Sequence, residues 1–156
     1  MKFLTLIFLF CLHADASDLV LRFGIEPVKK SGSYSDVKQL SLGYEASISD
    51  NTFWKIDVGY WTDNRTNASD AAYLAPALGL VIRPWIFKMK VFAGFAAISD
   101  TDNYLGGHFQ FYEGLYLGLF EGKASIGFDL FHLSSAGLYA VNKGRNFFTL
   151  SAVYSL

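Results

Sequence analysis

Eight stretches of this chain alternate apolar and polar residues with a period of two, and the links between them keep a fixed rhythm. The stretches cover approximately residues 18–26, 37–48, 52–61, 73–83, 87–96, 107–120, 123–133 and 146–156. The links are alternately long and short: 27–36, 49–51, 62–72, 84–86, 97–106, Glu121-Gly122 and 134–145. A period of two belongs to strands whose faces differ in chemistry, because successive side chains point to opposite sides. An even number of such strands, with tight turns at one end and longer loops at the other, is the pattern of an all-β barrel. It predicts eight antiparallel up-and-down strands crossing an outer membrane. Tilted strands of ~9–11 residues cross the hydrocarbon layer, and most of these stretches have that length.

The faces support this reading. In the third stretch Trp54, Ile56, Val58 and Tyr60 alternate with Lys55, Asp57 and Gly59. In the fifth, Phe87, Met89, Val91, Ala93 and Phe95 alternate with Lys88, Lys90 and Gly94. A soluble sandwich also alternates, but it points its apolar face inward and has no aromatic rim. Here Trp54, Tyr60, Trp85, Phe87, Phe148 and Tyr154 fall near strand ends, where an interfacial girdle sits. Eight strands leave room only for side chains inside. Glu45 and Asp129 are therefore expected to pair in the lumen with Lys88, Lys90 or Arg83. Pro76 fits poorly, because a closed barrel has no free edge for a residue without an N–H. Either the fourth strand starts nearer Ala77 or it carries a bulge.

The amino terminus agrees with an envelope destination. Met1-Lys2, an apolar run from Phe3 to Leu12 and Ala14-Asp15-Ala16 read as a signal peptide over 1–16, leaving a barrel domain at 17–156. Cys11 is the only cysteine and leaves with that peptide, so the mature chain has no disulfide or thiol chemistry. The formal charge of −1 and the lack of a basic tract argue against nucleic acid as a partner. Asp100, Asp102 and Asn103 share a loop without the spacing of a Ca²⁺ site and read as solvated.

Chemistry concentrates at the end of the seventh stretch. Ile126, Phe128, Leu130, His132 and Ser134 share one face, so a His and a Ser continue a greasy face as the strand runs out. Alone, a His-x-Ser at a strand end is more often a polar rim. On a barrel whose first strand rises from the periplasm, however, the seventh also rises, and the pair meets the outer leaflet. In Gram-negative bacteria that leaflet is mostly lipopolysaccharide, whose lipid A carries ester-linked acyl chains. A His can take the Ser proton and pass it to the departing alcohol. The amide of Gly137 and its neighbours in the turn are candidates for an oxyanion hole.

The same residues carry a resemblance. Gly107-His108-Phe109-Gln110-Phe111, Phe131-His132-Leu133-Ser134-Ser135-Ala136-Gly137-Leu138, Asn142-Lys143-Gly144 and the last strand resemble the lipid A 3-O-deacylase (PagL) family. The family's motif is His-x-Ser-Asn-Ala-Gly, then Pro-Asn-x-Gly and a Glu on the last strand. The resemblance implies an outer-membrane barrel acting as an esterase on lipid A, with no cofactor or metal and a homodimer as a family assembly. It implies His132 as base and Ser134 as nucleophile, with Asn142 and Gly144 matching the loop motif. Two positions depart from the pattern. Ser135 stands where the family has an oxyanion-hole Asn, and Asn146 where it has the acid. An amide can orient an imidazole but brings no charge to stabilise its protonated form.

Glu113 is a candidate substitute acid. A two-residue Glu121-Gly122 turn sets Phe111 opposite His132, Phe109 opposite Ser134 and Glu113 opposite Leu130, diagonal to His132 on the lipid-facing side. A one-residue bulge instead turns Glu113 into the lumen. His108 reads as a rim or lumen residue. The rival to a deacylase is a non-enzymatic small barrel, such as an adhesin, resistance factor or structural protein, with its function in the long loops. A second rival is an acyltransferase barrel of the same leaflet.

Overall fold

The computed structural model describes residues 17–26, 29–30, 33–34, 37–65, 68–84, 86–119 and 122–156. Residues 1–16, read above as a signal peptide, and Trp85 and Glu121 lie outside the described residues. Eight strands make one closed antiparallel barrel. They are β1 (Ser17–Ile25), β2 (Lys38–Ser49), β3 (Thr52–Thr62), β4 (Ala71–Ile82), β5 (Phe87–Ile98), β6 (Phe109–Leu119), β7 (Ala124–Ser134) and β8 (Arg145–Ser155). Each pairs with its neighbours in sequence, and β1 closes the cylinder against β8, with Leu21 opposite Ala152. Closure gives every strand two partners and abolishes edges, as a hydrocarbon environment demands. The link between β1 and β2 holds a short ribbon, Lys29–Lys30 paired with Ser33–Tyr34, which period-two reading did not mark.

The alternation sorts side chains as expected. Leu21, Phe23, Leu42, Val58, Leu78 and Ile126 are each more than half exposed on the outside. A continuous apolar belt of this kind is a liability in water and a necessity in lipid. Tyr60 and Tyr154, near opposite ends of the barrel, stay about half exposed on that same surface, at 46% each.

The lumen is filled in three layers. Near the periplasmic end Arg22 bonds Asp57 at 2.6 Å, Glu45 at 2.7 Å and Asp129 at 3.1 Å. Lys90 also binds Glu45, and Lys55 lies 2.9 Å from Asp57. Glu45 thus has the expected Lys90, but Asp129 takes Arg22 rather than Lys88, Lys90 or Arg83. The first strand had supplied an inward cation that composition alone did not single out. Above lie Phe92, Tyr112, Phe131, Phe147, Tyr73 and Trp61, with Phe131 and Phe147 stacked at 5.0 Å. A third, extracellular layer is again ionic and centres on Arg145. Buried side chains occupy all three levels.

Two expectations need correction. β4 runs straight through Pro76 with neither a late start nor a bulge. Its ladder to β3 is continuous, whereas its ladder to β5 skips from Leu74↔Ala97 to Ala77↔Gly94 without changing register. The missing donor is absorbed locally by omitting the pairs around Pro76. Gly94 makes this possible, since a Cβ there would lie 2.1 Å from the Pro76 carbonyl oxygen. The β6–β7 register is also centred one residue later than a Glu121-Gly122 turn sets it, since Leu119 pairs with Ile126. The ladder therefore slides by two, setting Phe111 opposite Ser134 and Glu113 directly opposite His132. A slip of two preserves the faces, and no bulge turns Glu113 inward.

Candidate active site

His132 lies one pair below the extracellular end of β7, with Ser134 the strand's last residue. Both are half-buried on the outer surface, two residues apart and so ~6.6 Å along the strand. Cross-strand neighbours on both sides of His132 are polar. On β8 it faces Asn146, and on β6 it faces Glu113, both exposed. A row Glu113–His132–Asn146 therefore crosses three strands on a surface otherwise given to Leu and Phe. Directly opposite residues bring Cβ atoms within about 4.5–5.5 Å of each other.

The imidazole is held on two sides. His132 Nδ1 and Asn146 Oδ1 are 3.0 Å apart. With the amide oxygen accepting, Nδ1 is the donor of this bond. Gly144 closes over the other edge of the ring. A Cβ on Gly144 would lie 2.5 Å from His132 Cε1 and 3.1 Å from Nε2, and its φ of +68° also requires glycine. The ring thus rests against bare backbone.

Beyond Ser134 the chain turns sharply. Leu138 N–H donates to the Ser135 carbonyl at 2.9 Å across Ala136 and Gly137, whose φ angles are +47° and +84°. Two positive φ values with an i to i+3 bond mark a type I′ turn, which suits Gly137 and strains Ala136. The turn is pinned by Asn142, whose Oδ1 accepts from Ser135 N–H at 2.8 Å. Ser135 itself is fully buried, and its hydroxyl finds no partner among the described residues. Neither its amide nor its hydroxyl is turned to the outer face in this arrangement. Ala136 and Gly137 are exposed. The oxyanion-hole role of Ser135 was implied by the resemblance alone, and the structure buries its side chain on the inner side of the wall.

The surroundings are aromatic. Phe111, opposite Ser134, packs with Phe95 and Phe109 in a cluster with ring centroids 5.1–6.1 Å apart. Below the polar row, Phe128 and Phe148 stack at 5.8 Å. His108 stands apart at the rim, exposed and bonded through Nδ1 to the Ile98 carbonyl at 2.9 Å. Among the described residues no group of His, Cys, Asp or Glu has the arrangement of a metal site. Asp102 is not solvated as its loop composition implied. It accepts from the amides of Tyr104 at 2.7 Å and Leu105 at 2.8 Å and pairs with Arg145.

The sequence reading missed Arg145 itself. It is a wholly buried cation one residue before Asn146 and one after Gly144. The available signal was a lone Arg on the inward register of a strand otherwise lined with Phe147, Thr149 and Ser151.

Comparison with known proteins bears on this arrangement. The sequence model described as lipid A 3-O-deacylase (PagL) matches residues 31–155. No curated protein matches the sequence. The crystal structure of the outer membrane enzyme PagL superposes with a TM-score of 0.71 at 21% identity, covering 88% of this chain and 98% of that one. A set of de novo designed transmembrane β-barrels gives 0.65 at 10% identity, covering 92% and 97%. The N-terminal barrel of Pseudomonas aeruginosa OprF gives 0.64 at 11% identity, covering 92% and 98%. At these identities the structural likenesses establish the shared eight-stranded barrel fold, while the sequence match spans most of the chain. The chain belongs to the lipid A 3-O-deacylase family.

Proposed function

We propose that this barrel hydrolyses an ester-linked hydroxyacyl chain of lipid A in the outer leaflet, with Ser134 as nucleophile and His132 as base. The observation that carries the reading is the imidazole's restraint on the lipid-facing surface. Asn146 engages Nδ1 of a ring that shares its face with Ser134, which leaves Nε2 to serve as the base. His132 and Ser134 are neighbours rather than hydrogen-bonded here, and such contacts commonly tighten only with substrate bound.

The reaction follows from these positions. Ser134 Oγ attacks the ester carbonyl while its proton passes to His132 Nε2. The oxyanion lies toward the amides of Ala136 and Gly137, both exposed residues, since the Ser135 amide is taken by Asn142. Collapse breaks the bond to the sugar oxygen, which leaves with the proton from His132. Water, deprotonated by the same nitrogen, then releases the fatty acid and restores Ser134. Phe95, Phe109 and Phe111 offer the acyl chain an aromatic surface beside the nucleophile.

Asn146 orients the ring but cannot offset its positive charge. Glu113, directly across the other edge of His132, supplies a carboxylate in a medium where charges act strongly. A carboxylate facing hydrocarbon costs free energy and so usually has a purpose. Expression in a host bearing complete lipid A should lower its mass by one hydroxyacyl chain. Ser134→Ala, folded to the same extent, should leave the mass unchanged. Unaltered lipid A beside folded wild-type protein would overturn the reading, and a gain in mass would indicate acyl transfer instead. A homodimer is the assembly we infer from the family, and cross-linking in membranes tests it.

A further inference from the structure

The buried charge cluster at the extracellular end of the lumen lies directly behind the site. Arg145 is 0% exposed. Its Nη1 donates to Glu26 at 3.0 Å and to Asp63 at 2.7 Å, and its Nη2 binds Asp102. Arg65 grips two of the same carboxylates, Glu26 at 2.6 Å and Asp63 at 2.5 Å. Tyr104 lies against both guanidinium groups, at 4.0 Å from Arg65 and 5.1 Å from Arg145. Glu26 follows β1, Asp63 and Arg65 follow β3, and Asp102 and Tyr104 follow β5. Arg145 opens β8, so the segments that emerge from all four extracellular strand pairs meet on one side chain.

Its place in the sequence gives this a meaning beyond packing. Gly144, on one side of Arg145, presses bare backbone against His132 Cε1. Asn146, on the other side, holds His132 Nδ1. Three consecutive residues therefore reach in opposite directions, with the middle one anchored inside the lumen and its neighbours gripping the imidazole outside. The backbone ahead of them is stitched to the same loop as Asp102. Lys143 N–H donates to Tyr104 O at 3.0 Å, Gly106 N–H donates to Val141 O at 3.2 Å, and Leu105 bridges Asn142.

We propose that Arg145 is a positioning residue, whose inward ion cluster fixes the Gly144–Asn146 segment and thereby the ring plane and tautomer of His132. It touches neither substrate nor the reacting atoms. The inference rests on His132 serving the deacylase, yet its structural half can be read without any activity. Displacements near 1 Å in such a site can cost on the order of 10²-fold in rate, so the anchor has a large effect to exert.

The test compares two buried arginines of the same lumen. Arg145→Met and Arg22→Met each remove a cation that pairs with three carboxylates, but only Arg145 lies behind the site. Arg145→Lys keeps the charge while losing the planar fork, and it serves if the methionine variant does not fold. Two readouts are used on folded protein in detergent: kcat and KM on lipid A, and the ¹⁵N signals of the His132 ring, which report its tautomer. Arg145→Met should lower kcat about tenfold or more with KM little changed, and should mix the two tautomers. Arg145→Lys should fall between it and wild type, and Arg22→Met should leave both readouts as they are. An unmixed tautomer in Arg145→Met would overturn the proposal. So would an equal loss in Arg22→Met, which would mark a general packing effect. If lipid A is never cleaved by wild type, the deacylase reading fails while the ring signals still decide the role of Arg145.

Discussion

At the scale of single residues, the division of one job between two side chains is the chief feature of the site. A carboxylate beside a catalytic imidazole both orients it and offsets the charge it acquires. In the proposed site Asn146 does the first through its 3.0 Å bond to Nδ1, and the second falls to Glu113, which stands opposite His132 on β6. Asn146→Glu should therefore raise kcat by restoring charge where orientation already exists. Glu113→Gln should lower kcat in the wild-type background and matter less once Asn146→Glu is present. Replacing an acid by its amide in a serine protease cost about 10⁴-fold, which is the upper limit for either change. Steady-state rates of the four variants form the required cycle, and additive effects would separate Glu113 from the imidazole. His132, Ser134 and Asn146 were legible before any coordinates because strand parity and a family motif name them. Arg145 was not, since its partners come from four separate segments and no local pattern links 26, 63, 102 and 145.

At the scale of elements, alternation located all eight barrel strands to within a few residues, and their faces followed. Two details escaped for the same reason, which is that register depends on the partner strand. The β6–β7 register is centred one residue later than Glu121-Gly122 implied, and this moved Glu113 from diagonal to directly opposite His132. The accommodation of Pro76 depends on Gly94 across the ladder, a pairing that neither strand announces by itself. Gly94→Val would drive a side chain into the Pro76 carbonyl and Ala77. It should slow or prevent barrel assembly more than Gly122→Val, where the nearest atom to a new Cβ is 3.7 Å away. The folded fraction on unheated electrophoresis gels reads the difference directly.

At the scale of the molecule, stability and chemistry occupy opposite sides of one wall. The two ionic layers and the aromatic layer between them are inside, and the polar row of the site is outside. The upper layer carries a pH signature. Burial pushes the Glu26 carboxyl above its ordinary range despite Arg145 and Arg65. Asp63 is also disfavoured by burial, but hydrogen bonds from Arg65 and Arg145 hold it below its ordinary range. A carboxyl whose pKa is raised on folding binds protons more readily when folded, so stability falls as pH rises through that interval. The Asp63 contribution has the opposite sign and is lost only as pH falls below the ordinary aspartate range. The urea midpoint in detergent should therefore rise as pH is lowered from neutral toward the Glu26 titration, and then fall in stronger acid. Glu26→Gln should remove the rise and keep the fall.

The filled lumen has one more consequence. In the proposed reaction, with three layers of side chains between the periplasm and the rim, the water that completes the ester hydrolysis comes from the sugar and phosphate layer around Ser134 and Gly137. How wet that thin zone is then decides the fate of an acyl group held on Ser134. A hydrated headgroup layer favours release of a free fatty acid. A layer drawn tight by divalent cations leaves lipid hydroxyls as the competing acceptors. The packing of neighbouring lipopolysaccharide thus becomes a reagent in its own right.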